Sequence, residues 1–431
     1  MQSLFVNMSS LGRNAMPLFV KPGPCCQKFH KCFTAGRVSY SQLNAAKHHL
    51  SRHKKLFPGL VSQVVRQTAT AAETAAPQIS RRAQKIVGGW LISCAGMCAG
   101  AVLLGGITRL TESGLSMVDW KLFKDMKPPR SQQEWEEEFE IYKQYPEYKY
   151  VAQEKGEMTL SEFKFIYYME WGHRMWGRGV GLVFALPALY FLKKGWISKA
   201  LKPRLAIFAG LIGFQGFLGW YMVKSGLEEK QNAYEIPRVS QYRLAAHLGS
   251  ALLLYTLFLW NGLAHVLTPV QIPEFKQLAR VRGMAHGLMA VVFVTALSGA
   301  FVAGLDAGLT YNSWPKMADR WVPDDLLAMS PKWKNMFENA TTVQFNHRYL
   351  AQSTVVLISG FWLMVRKYPL PRRARLAVNC LAGMAFIQAS LGILTLLMYV
   401  PTHLAATHQS GSVVLLSMAT WLALELKRLP K

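Results

Sequence analysis

The sequence predicts an all-α membrane protein in which eight transmembrane helices form two tandem four-helix bundles, related as a parallel internal repeat. Three observations support this prediction: long apolar runs, loops that alternate in charge, and sequence features that occur twice in the same order. The three are independent of one another. Together they define the number, the orientation and the grouping of the helices.

Eight apolar runs are long enough, or nearly so, to cross a bilayer as a helix, which takes roughly 20 residues. They lack the polar face that helices of water-soluble proteins show at helical period. Small residues within several runs allow membrane helices to approach closely. The predicted spans are 86–108, 165–192, 203–223, 243–266, 284–305, 343–366, 374–398 and 402–425.

The first 72 residues contain ten Lys or Arg and no acidic residue, with Ser, Thr and Ala between them. This composition is typical of a mitochondrial transit peptide and predicts that residues 1–75 are removed on import. A disordered basic tail is the alternative. Because the positive charge is concentrated here and in short loops, the net charge of +25 does not indicate a nucleic-acid partner.

The loops between the predicted spans alternate in charge. Lys and Arg cluster after the second, fourth and sixth spans and at the C-terminus. Nearly all acidic residues lie in the other loops, thirteen within 112–170, three within 228–235 and five within 306–338. Since basic loops stay on the side from which a membrane protein is inserted, we expect both termini in the matrix and the acidic loops in the intermembrane space.

Four features recur in both halves of the chain, in the same order. The first and fifth spans end in similar glycine-rich segments, and the other three recurring features centre on a His or a Gln in corresponding spans. The pairs are Glu170-Trp171-Gly172-His173-Arg174 with Gln344-Phe345-Asn346-His347-Arg348, Gln215 to Gly219 with Gln388 to Gly392, and His247 with His408. The repeat predicts an N-terminal bundle over residues 80–270 and a C-terminal bundle over residues 271–431.

Each predicted bundle carries one histidine near the start of its second helix and one near the start of its fourth. Ionisable residues in membrane spans are costly and usually mark function. Two imidazoles without thiolates or carboxylates are too few for a closed zinc site, but they suit the axial positions of a haem in a helix bundle. We therefore predict two haem-iron ligand pairs, His173 with His247 and His347 with His408. Copper bound by imidazole alone remains an alternative.

Two arginines and one carboxyl group complete the predicted sites. Arg174 and Arg348 follow ligand histidines and are suited to bidentate pairing with haem propionates. Glu170 lies three residues before His173, on the same helical face, whereas its repeat equivalent Gln344 cannot ionise. We therefore interpret Glu170 as a catalytic acid–base group. The alternative role is to orient a ligand or to pair with Arg174. The asymmetry predicts chemistry in the first bundle and electron transfer in the second.

At these residues the chain resembles the haem A synthase family in its mitochondrial form. The resemblance covers about residues 80–430. The motifs that carry it are Glu170-x-x-His173-Arg174, His247, Asn346-His347-Arg348, Thr407-His408 and the glycine-rich exits 105–120 and 304–315. The resemblance implies a multi-pass protein of the mitochondrial inner membrane that oxidises a methyl group of haem O to a formyl group. The product, haem A, would be delivered to cytochrome c oxidase.

The resemblance also assigns roles to individual residues. It implies that His173 and His247 ligate the substrate haem O, that His347 and His408 ligate a resident haem b, and that Glu170 is catalytic. Haem O would come from a protohaem farnesyltransferase, and the cytochrome c oxidase assembly machinery and inner-membrane lipid would be partners. The sequence leaves open the electron donor and acceptor and whether the chain forms a homo-oligomer. Some bacterial members carry a cysteine pair in an outer loop, which these loops lack.

Two mechanisms and two other function classes remain open at this point. With both axial positions filled, oxidation would withdraw electrons from the porphyrin, remove a methyl proton and add water, with Glu170 as the base. Displacement of one imidazole to admit oxygen is the competing scheme. A dihaem b-type electron-transfer protein and a haem carrier without chemistry are the alternative functions. The haem carrier does not explain why Glu170 corresponds to Gln344, and two tightly held haem b without haem O or haem A would favour the electron-transfer protein.

A tag inserted in the loop 129–155 tests the predicted orientation. We expect protease to cleave this tag once the outer membrane has been opened, because the loop lies in the intermembrane space. A tag after Lys431 is the matched control and should stay protected until the inner membrane is dissolved. Protection of the loop tag together with cleavage of the terminal tag would reverse the orientation.

Overall fold

A computed structural model describes residues 79–118, 127–228 and 237–427. These residues form α-helices and their connections, and within these three ranges the single β pairing is an isolated bridge between Met317 and Arg320. The predicted transit peptide lies outside the described residues, as does Trp120 at the end of the first glycine-rich exit.

Eleven α-helices follow one another in the described ranges. They are α1 (Arg81–Leu110), α2 (Gln132–Tyr142), α3 (Pro146–Lys155), α4 (Leu160–Lys193), α5 (Leu201–Leu227), α6 (Gln241–Val266), α7 (Leu278–Gly304), α8 (Asn335–Glu338), α9 (Ala340–Val365), α10 (Arg372–Leu397) and α11 (Thr402–Glu425). Short 3-10 turns lie at Ala307–Leu309 and Lys332–Lys334.

Seven of the long helices have the length and apolar composition needed to cross a membrane: α1, α4, α5, α6, α7, α9 and α10. The described chain is therefore all-helical, with seven candidate membrane spans. The eighth predicted span coincides with α11, which has 24 residues. Its first half carries His403, His408 and Gln409, and these polar side chains make it less apolar than the other long helices.

Several helices begin before the apolar run that predicted them, because polar residues cap them. Ser80 accepts a hydrogen bond from the backbone of Ala83 at the start of α1. Thr159 and Glu162 form a reciprocal capping box at the start of α4. Apolar composition thus located the segments that a bilayer would cover, whereas the polar flanks determine where each helix starts.

The long helices form two rings of four. In the N-terminal half α1 and α5 each contact both α4 and α6, and in the C-terminal half α7 and α10 each contact both α9 and α11. The halves adjoin where α6 packs on α7 and α11, and where α11 packs on α1. One hydrophobic core of buried side chains extends through both halves.

The exits of α1 and α7 share an unusual backbone conformation. Glu112, after α1, has a φ of 50°, and Asp306, after α7, has a φ of 49°. Residues other than glycine rarely adopt this left-handed region. Asp306 forms ion pairs with Arg109 at 2.8 Å and with Arg238 at 3.0 Å. Because both arginines belong to the first half of the chain and Asp306 to the second, these pairs connect the two halves. The pairs are partly exposed, and such pairs contribute at most about 1 kcal/mol each.

The acidic segment between α1 and α4 contains a compact aromatic cap. Side chains from α2 pack on the start of α4, with ring centroids 5.0 Å apart for Trp135 and Tyr167 and 4.9 Å apart for Phe139 and Phe163. Tyr142 is fully buried among them. This part of the predicted loop is therefore a folded layer against α4 and not an extended connection.

α1 and α6 approach each other closely at a pair of glycines. A Cβ atom on Gly262 would lie 3.0 Å from the carbonyl oxygen of Gly88 and 2.7 Å from Cγ1 of Ile92. A Cβ atom on Gly88 would lie 2.8 Å from Cβ of His265. Because Gly88 is near the start of α1 and His265 near the end of α6, the two helices are antiparallel.

This contact predicts a difference between two glycine substitutions. We expect Gly262→Val to destabilise the protein by about 1–3 kcal/mol, because the added side chain overpacks a backbone contact that cannot yield. Gly89→Val is the matched control, since a Cβ atom there would meet nothing within 4 Å. Thermal unfolding in detergent measures both variants. Equal midpoints for the two variants would contradict the packing argument.

Candidate functional site

Two of the predicted ligand histidines lie on the second long helix of their ring, each against a glycine of the first. A Cβ atom on Gly105 of α1 would lie 2.9 Å from Nε2 of His173. A Cβ atom on Gly299 of α7 would lie 3.4 Å from Cε1 of His347. The equivalent helices of the two halves thus make the same ring-on-glycine contact.

The other two predicted ligands repeat this contact at the start of α6 and α11. A Cβ atom on Gly219 of α5 would lie 3.5 Å from Cε1 of His247, and one on Gly392 of α10 would lie 2.8 Å from Cε1 of His408. All four imidazoles therefore lie near the level at which α1, α5, α7 and α10 end. The sequence marked these glycines as part of the repeat, but it did not show that they hold the rings.

The second pair of histidines has the spacing of two axial ligands. The ring centroids of His347 and His408 are 6.5 Å apart, and the ring planes are nearly perpendicular at 88°. Imidazole–metal bonds are about 2.0–2.1 Å long, so one iron would separate the two nitrogens by about 4 Å. Each ring centre lies a ring radius further out, which brings the expected separation close to the observed one. In the first pair, His173 and His247 are near enough to interact electrostatically.

The second ring nitrogen of His347 has the partner that a metal-bound imidazole needs. Its Nδ1 is 2.7 Å from Oγ of Ser298, which can accept a hydrogen bond from it, as the outer partners of metal-bound imidazoles do. Nδ1 of His408 is 3.2 Å from Nε2 of Gln388, an amide nitrogen that can only donate. Nδ1 of His247 is buried and has no hydrogen-bond partner among the described residues. The ring separation of His347 and His408 therefore fits a haem, whereas Nδ1 of His247 lacks, within the described ranges, the outer hydrogen bond that Nδ1 of His347 makes.

The part of the chain that the structure describes contains no cluster of three or more His, Cys, Asp or Glu able to hold a metal ion. The histidines therefore occur as pairs and not as part of a larger ligand set. Cys94, Cys98 and Cys380 are free thiols. His265 and His286 each place Nδ1 near a carbonyl of their own helix, at 2.6 Å and 2.9 Å.

Glu170 is held by the segment that follows α1. Its side chain is only 3% exposed. One carboxylate oxygen accepts from Oγ of Ser116 at 2.7 Å and from the backbone N–H of Met117 at 2.8 Å. The other accepts from Arg174 at 2.6 Å. The alternative that the sequence left open, a pair between Glu170 and Arg174, is therefore present.

The equivalent Gln344 makes the reverse contact. Its amide nitrogen donates to the carbonyls of Ala307 at 2.8 Å and Tyr311 at 3.2 Å, in the segment that follows α7. Its amide oxygen is buried and has no partner among the described residues. In the first half the loop donates to residue 170, and in the second half residue 344 donates to the loop. The loop backbone thus presents a donor to Glu170 and acceptors to Gln344, in accordance with the side chain in each half.

Both predicted propionate-binding arginines hold the same point of their loops. Arg174 donates to the carbonyl of Met117 at 2.8 Å, and Arg348 donates to the carbonyl of Tyr311 at 2.6 Å. Nε of Arg348 is buried and has no partner among the described residues, which leaves it available to an anionic group. Propionate binding stays a prediction for both arginines.

Two glutamines fix the starts of the ligand helices. Gln215 donates to the carbonyl of His247 at 3.3 Å and also contacts Ser250. Gln388 donates to the carbonyl of His408 at 2.8 Å. The sequence revealed them only as repeated residues. Their recurrence four residues before a glycine in both halves was the signal that could have indicated a positioning role.

The sequence analysis missed a buried carboxyl group in the aromatic cap. Glu147 is almost fully buried and accepts a hydrogen bond from Tyr142 at 3.1 Å. Burial, with a smaller contribution from the charge of Glu170, raises the pKa of Glu147 to about 8, so this carboxyl holds a proton at neutral pH. It belongs to a strongly acidic stretch, where no sequence signal separated it from solvent-exposed neighbours.

One contact between the halves lies beside both pairs of histidines. Gln409, which follows His408, donates to the carbonyl of Val102 in α1 at 2.8 Å. A Cβ atom on Gly106 would lie only 2.1 Å from the amide oxygen of Gln409. Gly106 is adjacent to Gly105, against which His173 lies. A residue of the second half therefore packs where α1 meets a predicted ligand of the first.

Comparison with known proteins identifies the family of the chain. A family model described as "Cytochrome oxidase assembly protein" matches residues 88–420. "Heme A synthase COX15" of Homo sapiens is 57% identical over 378 residues, covering 88% of this chain and 92% of the human protein. The protein of the same name in Saccharomyces cerevisiae is 42% identical over 398 residues, covering 86% of this chain and 81% of the yeast protein. "Heme A synthase" of Nitrosospira multiformis is 43% identical over 346 residues, covering 80% of this chain and 94% of the Nitrosospira protein. The chain belongs to the cytochrome oxidase assembly protein family.

Proposed function

We propose that this chain, as a member of the cytochrome oxidase assembly protein family, is a haem A synthase that oxidises a methyl group of haem O to a formyl group. The observation that carries the proposal is the pairing of four histidines with four glycines in two rings of helices, together with the Glu170 that only the first ring contains. Its mitochondrial and bacterial relatives carry the name of this activity.

The architecture that we propose is a tandem repeat of eight transmembrane helices in the mitochondrial inner membrane. Residues 1–75 act as the transit peptide, residues 80–270 form the catalytic bundle and residues 271–431 form the haem b bundle. The matching helix contacts, the matching ring-on-glycine contacts and the equal φ values at Glu112 and Asp306 support the repeat. The basic loops and both termini face the matrix.

The two sites hold different haems in this proposal. His173 and His247 ligate the substrate, haem O, in the first bundle. His347 and His408 hold haem b in the second bundle, and their ring separation of 6.5 Å supports this pairing. When bound, haem b supplies a one-electron carrier between the substrate and an external acceptor. Nε of Arg348 is the donor that we assign to a propionate of haem b.

The reaction adds oxygen atoms from water to the methyl carbon of haem O. The first round removes two electrons and two protons and adds one water, which gives the hydroxymethyl group. The second round repeats this and gives a geminal diol, which loses one water to become the aldehyde. In sum one water is consumed, and four electrons and four protons are released. The four electrons require an external acceptor protein, toward which haem b held by His347 and His408 would carry them, and Glu170 would accept the protons.

The protein fixes the position of the Glu170 carboxylate in advance. Arg174 and the backbone N–H of Met117 hold the carboxylate in place, and neither has to move when the proton arrives. Ser116 donates to the same oxygen as Met117. Its hydroxyl can both accept and donate a proton, so it connects Glu170 to the outer segment of the bundle.

Haem O reaches the protein from a protohaem farnesyltransferase, and haem A passes to the cytochrome c oxidase assembly machinery. Extraction of the haems from the purified protein, followed by mass identification, tests the proposed function directly. We expect haem b together with haem O, haem A or an oxidised intermediate. Two equivalents of haem b and no tailed haem would instead identify a dihaem electron-transfer protein.

The haem b assignment predicts the effect of removing one ligand. We expect His347→Leu or His408→Leu to abolish the low-spin bis-imidazole spectrum of the second site, because leucine cannot ligate iron. His403→Leu is the matched control, since His403 is an exposed residue in the first turn of the same helix as His408. Optical and EPR spectra of the purified variants measure the outcome. An unaltered spectrum in either ligand variant would remove that histidine from the site.

Glu170→Gln tests the carboxylate, because it removes the ionisable group and keeps the size of the side chain. Glutamine retains the size of the side chain, so we expect the first site still to bind haem. Loss of the proton acceptor should lower haem A formation by about two to four orders of magnitude. Cells that carry the variant should accumulate haem O or the hydroxymethyl intermediate, which haem extraction measures.

A loop variant is the control for this experiment. Ser116→Ala removes one hydrogen bond from Glu170 but keeps the carboxylate and its pair with Arg174, so we expect a loss of less than about tenfold. If Ser116→Ala impaired turnover as strongly as Glu170→Gln, holding the loop would be the function of Glu170. Normal haem A formation by Glu170→Gln would remove the carboxylate from the mechanism.

A further inference from the structure

α5 carries a groove that winds around the helix. Its glycines occur at every third position: Gly210, Gly213, Gly216 and Gly219. Such a row runs at about 45° to the helix axis. A Cβ atom on any of the first three would meet nothing within 4 Å, whereas one on Gly219 would touch the ring of His247. We call this row the α5 groove, and it leads from the exposed surface to the proposed substrate ligand.

A ridge of aromatic rings runs beside the α5 groove. Phe214, Phe217 and Trp220 each lie four residues after one of its glycines and form the neighbouring row. Consecutive ring centroids are 6.2 Å and 5.9 Å apart, and all three rings are exposed. Only 11% of the apolar stretch of α5 is buried within the protein, against 28% of the apolar stretch of α10. Groove and ridge together form an apolar surface that remains open along its length.

The second half has neither feature. When Gln215 is aligned with Gln388, Gly213 corresponds to Phe386 and Gly216 corresponds to Ala389. Phe386 is 56% exposed and lies across the path that the groove would take on α10. The residues that correspond to the aromatic ridge are Ile387, Ser390 and Ile393. The groove therefore distinguishes the proposed haem O site from the proposed haem b site.

The inner end of the groove reaches a side chain that lacks a partner. Nδ1 of His247 is buried without a hydrogen-bond partner among the described residues, and the ring lies against Gly219. Gln215 holds the backbone of His247 in place from α5 itself. The groove thus ends at an imidazole that carries a buried nitrogen without a hydrogen-bond partner in the described part of the chain, and this is an observation independent of the row of glycines.

We propose that the isoprenoid chain of haem O lies in the α5 groove, along the aromatic ridge, and that this contact selects the tailed haem for the first site. The proposal rests on the proposed function. Haem O differs from haem b by this long chain, which replaces a vinyl group, and only the first half offers it a groove. The chain is apolar and flexible, so it gains from close packing against glycine backbone and aromatic faces.

Gly213→Phe tests the proposal by giving α5 the residue that α10 has at this position. The purified protein with its second site filled is titrated with haem O and with tail-less protohaem, and binding is followed optically. We expect the affinity for haem O to fall by roughly tenfold or more, as for other losses of one apolar contact surface. The affinity for protohaem should stay unchanged. Gly383→Phe on α10 is the matched control, because a Cβ atom there also meets nothing within 4 Å.

Phe217→Ala is a second variant that removes part of the ridge without filling the groove, and it should weaken haem O binding alone. The spectrum of the second site reports whether each variant is folded. If folded Gly213→Phe binds haem O as tightly as the wild type, the proposal is wrong. This holds even if the variant has lost a copurified phospholipid, because the groove then binds lipid and not the isoprenoid chain. Equal affinities of the wild-type first site for haem O and protohaem would instead overturn the proposed assignment of haem O to that site.

Discussion

The close approach of imidazole rings to helix backbone is the constraint on which the rest of the structure depends. A histidine ring can lie this close to a neighbouring helix only where that helix has no side chain, and Gly105, Gly219, Gly299 and Gly392 meet this requirement. Each of these glycines lies in the second half of its helix, and each contact joins two helices that are neighbours in a ring. The four contacts thereby place the predicted ligand side chains between neighbouring helices of the same ring.

The outer segments turn two similar bundles into two different environments. Arg174 and Arg348 grip their loops through equivalent carbonyls, so the scaffold is the same on both sides. The loop after α1 presents N–H and O–H donors to Glu170, whereas the loop after α7 presents carbonyls to Gln344. If Glu170 and Gln344 were exchanged without a change in the loops, buried donors would face donors or buried acceptors would face acceptors. The asymmetry between the halves is a property of helix and loop together.

Much of the fold followed from composition, and the remainder depended on contacts between distant segments. Apolar runs located all eight long helices, since burial in a bilayer demands them, although polar residues at the start of α11 leave seven that qualify as spans. Helical spacing showed that Glu170 and His173 share a face of α4, but it could not show that Ser116 folds back onto Glu170. Likewise, no local pattern indicated that Glu147 is buried, because the cap that covers it forms from separate short helices.

The bond from Gln409 to the carbonyl of Val102 also affects how the protein loses its structure. Its donor and acceptor are 307 positions apart in the chain, near opposite ends of the described sequence. Separation of the halves would leave the amide of Gln409 and the bare backbone at Gly106 without their complement. Loss of α11 would therefore remove a hydrogen-bond donor and a packing surface from α1 and α6, which belong to the first half of the chain.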